Sequence, residues 1–193
     1  MSLWGASDAN EAKPKFLTDA EKKEVFANAS GWVQEAGTAA TGNDNASADP
    51  EVLVAIGGLA TSLGAADITE IEFVTTSVSA AAPGAFSVRV RFNEPVDVVT
   101  TGGTPTVTVT NDNDGTGTSS DIAPAYVSGT GTNELVFSVE WTDELLEGDV
   151  LSIGANATAL NSGTIKDAGT ATNATITNSA AIGTAAGTIT VAA

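Results

Sequence analysis

Two acidic segments contain the residues whose types and spacing come closest to supporting chemistry. Residues 112–118 read Asp-Asn-Asp-Gly-Thr-Gly-Thr, and an Asp-x-Asp-Gly pattern opens many calcium-binding loops. Such a loop also needs a glutamate near its end that binds the ion with both oxygens, and the spacing here supplies none. A hairpin turn built from Gly, Asn and Asp explains the same residues, and we favour that interpretation.

The second acidic segment, residues 143–149, carries four carboxylates. A solvated loop of like charges is the favoured interpretation, and a weak cation site is the alternative. Glu94 and Asp97 flank Pro95 as a further carboxylate pair, but nothing in the sequence sets them across a cleft as a glycosidase requires. The acidic residues therefore predict turns and solvated loops.

The composition also argues against catalysis. The chain has no histidine and no cysteine, so it lacks the commonest general base, the commonest zinc ligand and any thiolate. No glycine-rich phosphate loop stands between a strand and a helix, and the Gly-Gly pairs at 57–58 and 102–103 are interpreted as turns. We predict a protein that is not an enzyme, with no cofactor and no metal site.

The net charge limits the classes of partner. Seven basic against 24 acidic residues give a net charge of −17. Nucleic acids and anionic membranes attract basic surfaces, so we predict neither as a partner. No apolar run approaches the roughly 20 residues of a membrane helix. Residues 1–8 lack the basic and apolar regions of a signal peptide, so we expect no export by that route.

The strongest secondary-structure signal is residues 85–97, where apolar and polar residues alternate with the period of a strand. We predict a central strand that ends at Pro95. Arg89 and Arg91 lie on its polar face, where an ion pair with Glu134 or Glu140 is expected. The residues predicted to point into the core are Phe86, Val88, Val90 and Phe92.

A second alternating strand, residues 134–141, is predicted to supply the facing half of that core, and residues 178–187 are interpreted as a loop or tail. Seven or eight short segments of strand character follow residue 68, with residues 173–177 among them, and Gly, Asn, Asp and Pro turns separate them. This pattern predicts an Ig-like antiparallel β-sandwich.

The N-terminal region differs in character. Residues 1–17 form either a disordered tail or an extended arm that docks spaced apolar anchors into a neighbouring subunit. Thr18-x-x-Glu21 is a capping box and predicts the start of a short helix, and residues 24–56 predict a sheet of two or three strands. The predicted fold is mainly β, with this arm, short helix and small β element (1–66) before the Ig-like domain (67–193).

The C-terminal part resembles a repeat of bacterial surface adhesins and phage structural proteins. The matching motifs are Phe-x-Glu-Pro-Val at 92–96, Val-Thr followed by Gly and Pro at 99–105, Ser-Gly-x-Gly-Thr at 128–132 with Leu-x-Phe at 135–137, and Gly-x-Ile-x-Asp at 163–167. They span about 100 residues in the expected order. This chain has one extra residue in the turn at 101–103, and it has a single copy rather than a tandem array.

The N-terminal part looks like the start of virion structural proteins of marine tailed phages. The segments that carry this likeness are residues 4–8, 13–19, 31–33 and 51–58. The resemblance implies a capsid decoration or head-accessory protein on the outer capsid surface of the virion. Its partners would be the major capsid protein and neighbouring copies of itself.

The same resemblance points to the apolar residues of the N-terminal region for attachment. One alternative function is that of a host-receptor or glycan-binding module of a tail fibre, and another is that of a tail-tube or connector component. The candidate residues for anchoring or packing against the capsid are Trp4, Phe16, Leu17, Phe26, Trp32, Val52, Val54 and Ile56.

Overall fold

A computed structural model describes much of the chain, and its fold is mainly β. The residues described are 13–14, 16–18, 21–22, 24–28, 31–34, 49–55, 65–82, 84–112, 121–141 and 145–193. The strands pair in antiparallel sheets, as the sequence predicts, and a short helix is present. The finer assignment as an Ig-like sandwich, and the division at residue 66, stay predictions.

The strands of the described residues are mostly short, with two long exceptions. The elements are β1 (Val25–Asn28), β2 (Gly31–Gln34), β3 (Glu51–Ala55), β4 (Ile68–Phe73), β5 (Gly84–Val99), β6 (Thr106–Val107), β7 (Thr110–Asp112), β8 (Ala125–Ser128), β9 (Thr132–Trp141), β10 (Val150–Ser152), β11 (Thr158–Ala159), β12 (Thr164–Asp167), α1 (Ala180–Ala185) and β13 (Thr188–Thr190).

These strands form three sheets. The small N-terminal sheet has the order β1-β2-β3. The large sheet has the order β11-β6-β8-β9-β5-β12, with β4 also paired to β5. A third sheet has the order β13-β10-β7. The predicted N-terminal sheet of two or three strands is thus confirmed.

Strand β5 is the centre of the large sheet. Its residues 84–91 pair with β9, residues 88–92 pair with β4, and residues 96–99 pair with β12. The prediction that Pro95 ends this strand is wrong. The register against β9 shifts between Arg91 and Val96, and a bulge of this kind tolerates a proline because its residues need not donate to the ladder. The Pro95 carbonyl still accepts a hydrogen bond from the Ala168 amide at 2.9 Å.

The predicted inward-facing residues of β5 are all buried, so that part of the core prediction is confirmed. The position predicted for residues 134–141 is wrong. Strand β9 pairs directly with β5, so Leu135 and Phe137 line the same side of the same sheet as Phe86. Leu151 and Ile189 from the third sheet join this core cluster.

The polar side of β5 carries a network of ion pairs. Arg91 contacts Glu134 at 2.6 Å and Glu70 at 2.8 Å, and Arg89 contacts Glu134 at 3.1 Å and also Glu72. The predicted pairing with Glu134 is therefore confirmed, and β4 supplies the other carboxylates. Desolvation lowers the pKa of Arg91, but the attraction of the three carboxylates outweighs it, and the net pKa is raised. Arg91 stays charged at every pH at which the protein is handled.

The start of β4 is fixed to this sheet by side chains. The Ala66 amide donates to Asp167 Oδ1 at 2.7 Å, and the Asp67 amide donates to Asn93 Oδ1 at 2.8 Å. The Asn93 amide donates in return to the Asp67 carbonyl at 3.0 Å. The chain therefore enters the large sheet at the point where β5 bulges.

Two C-terminal segments differ from the sequence-based expectation. Residues 180–185, predicted as loop or tail, form helix α1, and the Ser179 hydroxyl caps it by accepting from the Ile182 amide at 3.3 Å. Within α1, Gly183 packs so closely on the Ile153 and Gly154 carbonyls that a Cβ would lie 2.4 Å and 2.6 Å from their oxygens. Residues 173–177, predicted as a strand, make only isolated bridges to Lys166 and Asp67.

Replacing Arg91 should destabilise the protein far more than the same change at Arg89. The Arg91 side chain is 9% exposed and the Arg89 side chain is 32% exposed. Arg91→Met removes the enclosed cation that contacts three partly buried carboxylates, and we expect a loss of about 3 kcal/mol in the free energy of unfolding. Arg89→Met should lose about 1 kcal/mol or less, because exposed pairs contribute little. Urea unfolding measures both, and equal losses would contradict this ranking.

Candidate partner-binding surface

The small N-terminal sheet has a buried centre. All four residues of β2 are buried, and Trp32 is fully enclosed. Trp32 and Val25 form an apolar cluster against which Leu17, Leu53 and Val54 pack. Most of the apolar residues in this region thus hold the sheet together.

The residues predicted for attachment therefore fall into three groups. Phe26 and Trp32 are buried, and Leu17 and Val54 are partly buried against the Trp32 cluster. Phe16 is 71% exposed and Val52 is 46% exposed. Trp4 and Ile56 lie outside the described residues. Phe16 and Val52 are the predicted residues that the described structure leaves available to a partner.

Val52 lies on an outer strand. Strand β3 pairs with β2 on one side, and among the described strands nothing pairs with its other side. An edge strand of this kind presents backbone N–H and C=O groups to which another strand can add. The register between β2 and β3 shifts at Trp32–Val33, which places Val33 opposite Val52. The edge therefore offers both backbone hydrogen-bonding groups and an apolar side chain.

Phe16 is held next to a capping box. The Thr18 amide and hydroxyl donate to Glu21 Oε2 at 2.7 Å and 2.8 Å, and the Glu21 amide donates back to Thr18 Oγ1 at 3.3 Å. The predicted capping box is confirmed. The Leu17 amide donates to the Pro14 carbonyl at 3.2 Å, and Leu17 packs on the Trp32 cluster. This local structure fixes the backbone on both sides of Phe16 while its ring stays exposed.

The acidic segments do not assemble into a site within the described residues. Asp112 is exposed at the end of β7, and residues 113–118, 143 and 144 lie outside the described part. Asp149 is buried and accepts hydrogen bonds from Asn111 Nδ2 at 2.9 Å and the Leu146 amide at 3.0 Å. No group of three or more His, Cys, Asp or Glu side chains in the described ranges is arranged to hold a metal ion.

Glu94 and Asp97, the carboxylate pair beside Pro95, lie in different environments. Asp97 Oδ2 accepts from the Gly169 amide at 3.0 Å near the surface. Glu94 is buried. Sequence reasoning missed two further buried polar residues close to Glu94 in the sheet, Asn133 and Asp167. A signal for Asn133 was available, because it continues the inward phase of Leu135 and Phe137.

Comparison with protein-family models, with curated proteins and with solved structures finds no match to this chain. Within the described ranges, no helix has the length and apolar character needed to cross a membrane.

The capping box beside Phe16 should be visible in the pKa of Glu21. Hydrogen bonds from the Thr18 backbone amide, and then from the Thr18 hydroxyl, lower the pKa of that carboxyl below its usual range. A lowered folded-state pKa stabilises the capped turn above the unfolded pKa, and this stabilisation is lost as the pH falls through the folded pKa. Thr18→Val should raise the pKa only part of the way, since the amide donor remains.

NMR titration of the Glu21 carboxyl measures this pKa in the unaltered protein and in Thr18→Val. Thr110→Val, at an exposed threonine of β7, is the control and should leave the Glu21 value unchanged. An unaltered Glu21 pKa in Thr18→Val would show that the hydroxyl does not act on the carboxyl.

Proposed function

We propose that this chain is a phage virion structural protein, a capsid decoration or head-accessory protein on the outer capsid surface. The N-terminal region, residues 1–66, attaches to the major capsid protein, and the Ig-like domain, residues 67–193, projects outward. The observation that carries the proposal is the exposure of two apolar side chains of the N-terminal region, Phe16 and Val52, the second of them on the open edge strand β3. The resemblance of the N-terminal segments to virion proteins supplies the identity of the partner.

The attachment is strand addition combined with an apolar anchor. A segment of the capsid protein pairs with the open side of β3, which satisfies backbone groups on both chains. Burial of the Phe16 ring on the partner then contributes most of the affinity, because large aromatic anchors dominate interface energetics. Many copies on one lattice add avidity to each weak contact.

The remainder of the described chain suits a projecting domain rather than a catalyst. The large sheet and the third sheet bury apolar residues in one shared core. Arg89 and Arg91 are engaged in ion pairs on the polar side of that sheet. These features support a rigid module that stiffens the shell or modifies its surface.

Removing the exposed apolar side chains should abolish attachment without unfolding the protein. The double variant Phe16→Ser/Val52→Ser changes two exposed side chains, so we expect a folded chain that no longer co-sediments with purified capsids. Val127→Ser is the matched control, since Val127 is 61% exposed on β8 of the large sheet. The control should bind like the unaltered chain. Equal binding of the double variant and the control would refute this attachment surface.

The copy number per particle tests the head location separately. A decoration protein should be present in purified particles at a level close to that of the major capsid protein, as measured by quantitative mass spectrometry. A few copies per particle would move the protein to the tail and favour the receptor-binding or connector alternative. Absence from the particles would refute the virion assignment itself.

A further inference from the structure

A row of buried polar side chains crosses three neighbouring strands of the large sheet. Asn133 on β9 is 0% exposed, and Glu94 on β5 and Asp167 on β12 are each 2% exposed. The order of these strands in the sheet is β9-β5-β12, so Glu94 lies on the strand between the other two. Polar residues buried this deeply, two of them carboxylates, are costly unless something compensates them.

The strand register brings the three residues to the bulge of β5. Arg91 pairs with Glu134, and Val96 pairs with Thr132, so Asn133 lies across from the bulged residues between them. On the other side, Asp167 pairs with Val96. The row therefore spans about two strand spacings, or roughly 10 Å between the outer backbones.

Asn133 and Asp167 both lie in the core-facing phase of their strands. Asn133 alternates in burial with its neighbours and follows the inward phase of Leu135. Asp167 likewise follows Ile165, a residue of the core cluster. Glu94 lies within the bulge between Arg91 and Val96, where residues 90–94 are all buried. The three residues therefore occupy neighbouring buried positions beside the bulge.

The hydrogen bonding of this row of side chains is incomplete. Neither Oδ1 nor Nδ2 of Asn133 has a hydrogen-bond partner. Asp167 Oδ1 accepts from the Ala66 amide at 2.7 Å, but its Oδ2 has no partner. A buried polar atom without a partner destabilises the fold, so several such atoms on neighbouring strands call for a group that would satisfy them.

The charges of the described residues do not neutralise Asp167. The ion pairs found there join Arg89 and Arg91 to Glu70, Glu72 and Glu134 on the polar side of the sheet. The row itself has two carboxylates and an amide oxygen. This donor set contains only hard oxygen ligands, which suit Ca²⁺ or Mg²⁺ rather than a transition metal.

We propose that this row is a Ca²⁺-binding site, with Asp167 Oδ2, Asn133 Oδ1 and the Glu94 carboxylate as ligands. Ca²⁺ accepts irregular arrangements of carboxylate and amide oxygens, whereas Mg²⁺ needs a near-ideal octahedron and keeps most of its water. The site differs from the two acidic loops considered from the sequence, because its ligands lie on strands inside the fold.

The ion would connect the strands that meet at the bulge. Its ligands come from β5, β9 and β12, and Asp167 also holds the Ala66 amide at the start of β4. Ca²⁺ that binds the folded chain and not the unfolded chain raises the stability by mass action. The inference concerns the large sheet alone and does not depend on the proposed attachment to a capsid.

Calorimetric titration of the full chain with CaCl₂ tests the site, after treatment with a chelator and in about 0.15 M NaCl to screen the acidic surface. We expect one Ca²⁺ per chain, tighter binding of Ca²⁺ than of Mg²⁺, and a Tm that rises with the free Ca²⁺ concentration. Binding of many ions with no change in Tm would show surface association only and would overturn the proposal. Tighter binding of Mg²⁺ would overturn the assignment to Ca²⁺.

Two variants test whether the ion binds at the row. Asp167→Asn keeps an oxygen for the Ala66 amide but removes the charge, and Asn133→Leu replaces the amide by a side chain of similar size that suits the core. Each should weaken Ca²⁺ binding by at least about 10- to 100-fold, the loss seen when even an outer-shell partner of a metal is removed. Asn133→Leu should fold at least as well as the unaltered chain without Ca²⁺, because it removes an unpaired buried amide.

Asp149→Asn is the matched control, since Asp149 is also fully buried but lies elsewhere in the fold. It should bind one Ca²⁺ with unchanged affinity. If Ca²⁺ binds equally well to Asp167→Asn and Asn133→Leu, or is lost only in Asp149→Asn, the ion does not bind in the row and the proposal fails.

Discussion

The large sheet depends on one strand that pairs with three others. Strand β9 occupies one side of β5 for most of its length, so β4 and β12 must share the other side, one after the other. The two shorter strands therefore meet beside residues 93–95, where the ladder is interrupted. This constraint explains why the start of β4, the end of β12 and the bulge of β5 are tied together by side-chain hydrogen bonds.

The two sides of β5 bury different kinds of side chain. On the core side, Phe86 and its alternating neighbours are buried among apolar residues of two sheets, and burial of such side chains drives folding. On the polar side, Arg91 is nearly as enclosed, and its charge is tolerated because three carboxylates surround it. At the bulge, the polar residues Asn93 and Glu94 are buried as well, which sets that place apart from the core-facing part of the strand.

Alternation along the chain predicted much of this arrangement, and its failures have physical causes. It identified the inward set of β5 and the partner Glu134, because a period of two fixes which side each residue faces. It could not show that β9 pairs directly with β5. Two strands with one buried side have the same alternating pattern whether they lie in one sheet or in two facing sheets. The prediction that Pro95 ends the strand failed because a residue within a bulge need not donate the backbone N–H that proline lacks. In the candidate surface, residue type alone could not separate the enclosed Trp32 from the exposed Phe16.

The ion-pair network has a consequence for how densely copies can be arranged. It holds three carboxylates and only two guanidinium groups, so two of the seven basic residues of a chain with 24 acidic ones are already paired within one copy. At about 0.15 M ionic strength, charges are screened over about 8 Å, so two copies repel once their surfaces come within that distance. The spacing of neighbouring copies would then follow the ionic strength of the medium wherever an underlying lattice does not hold them.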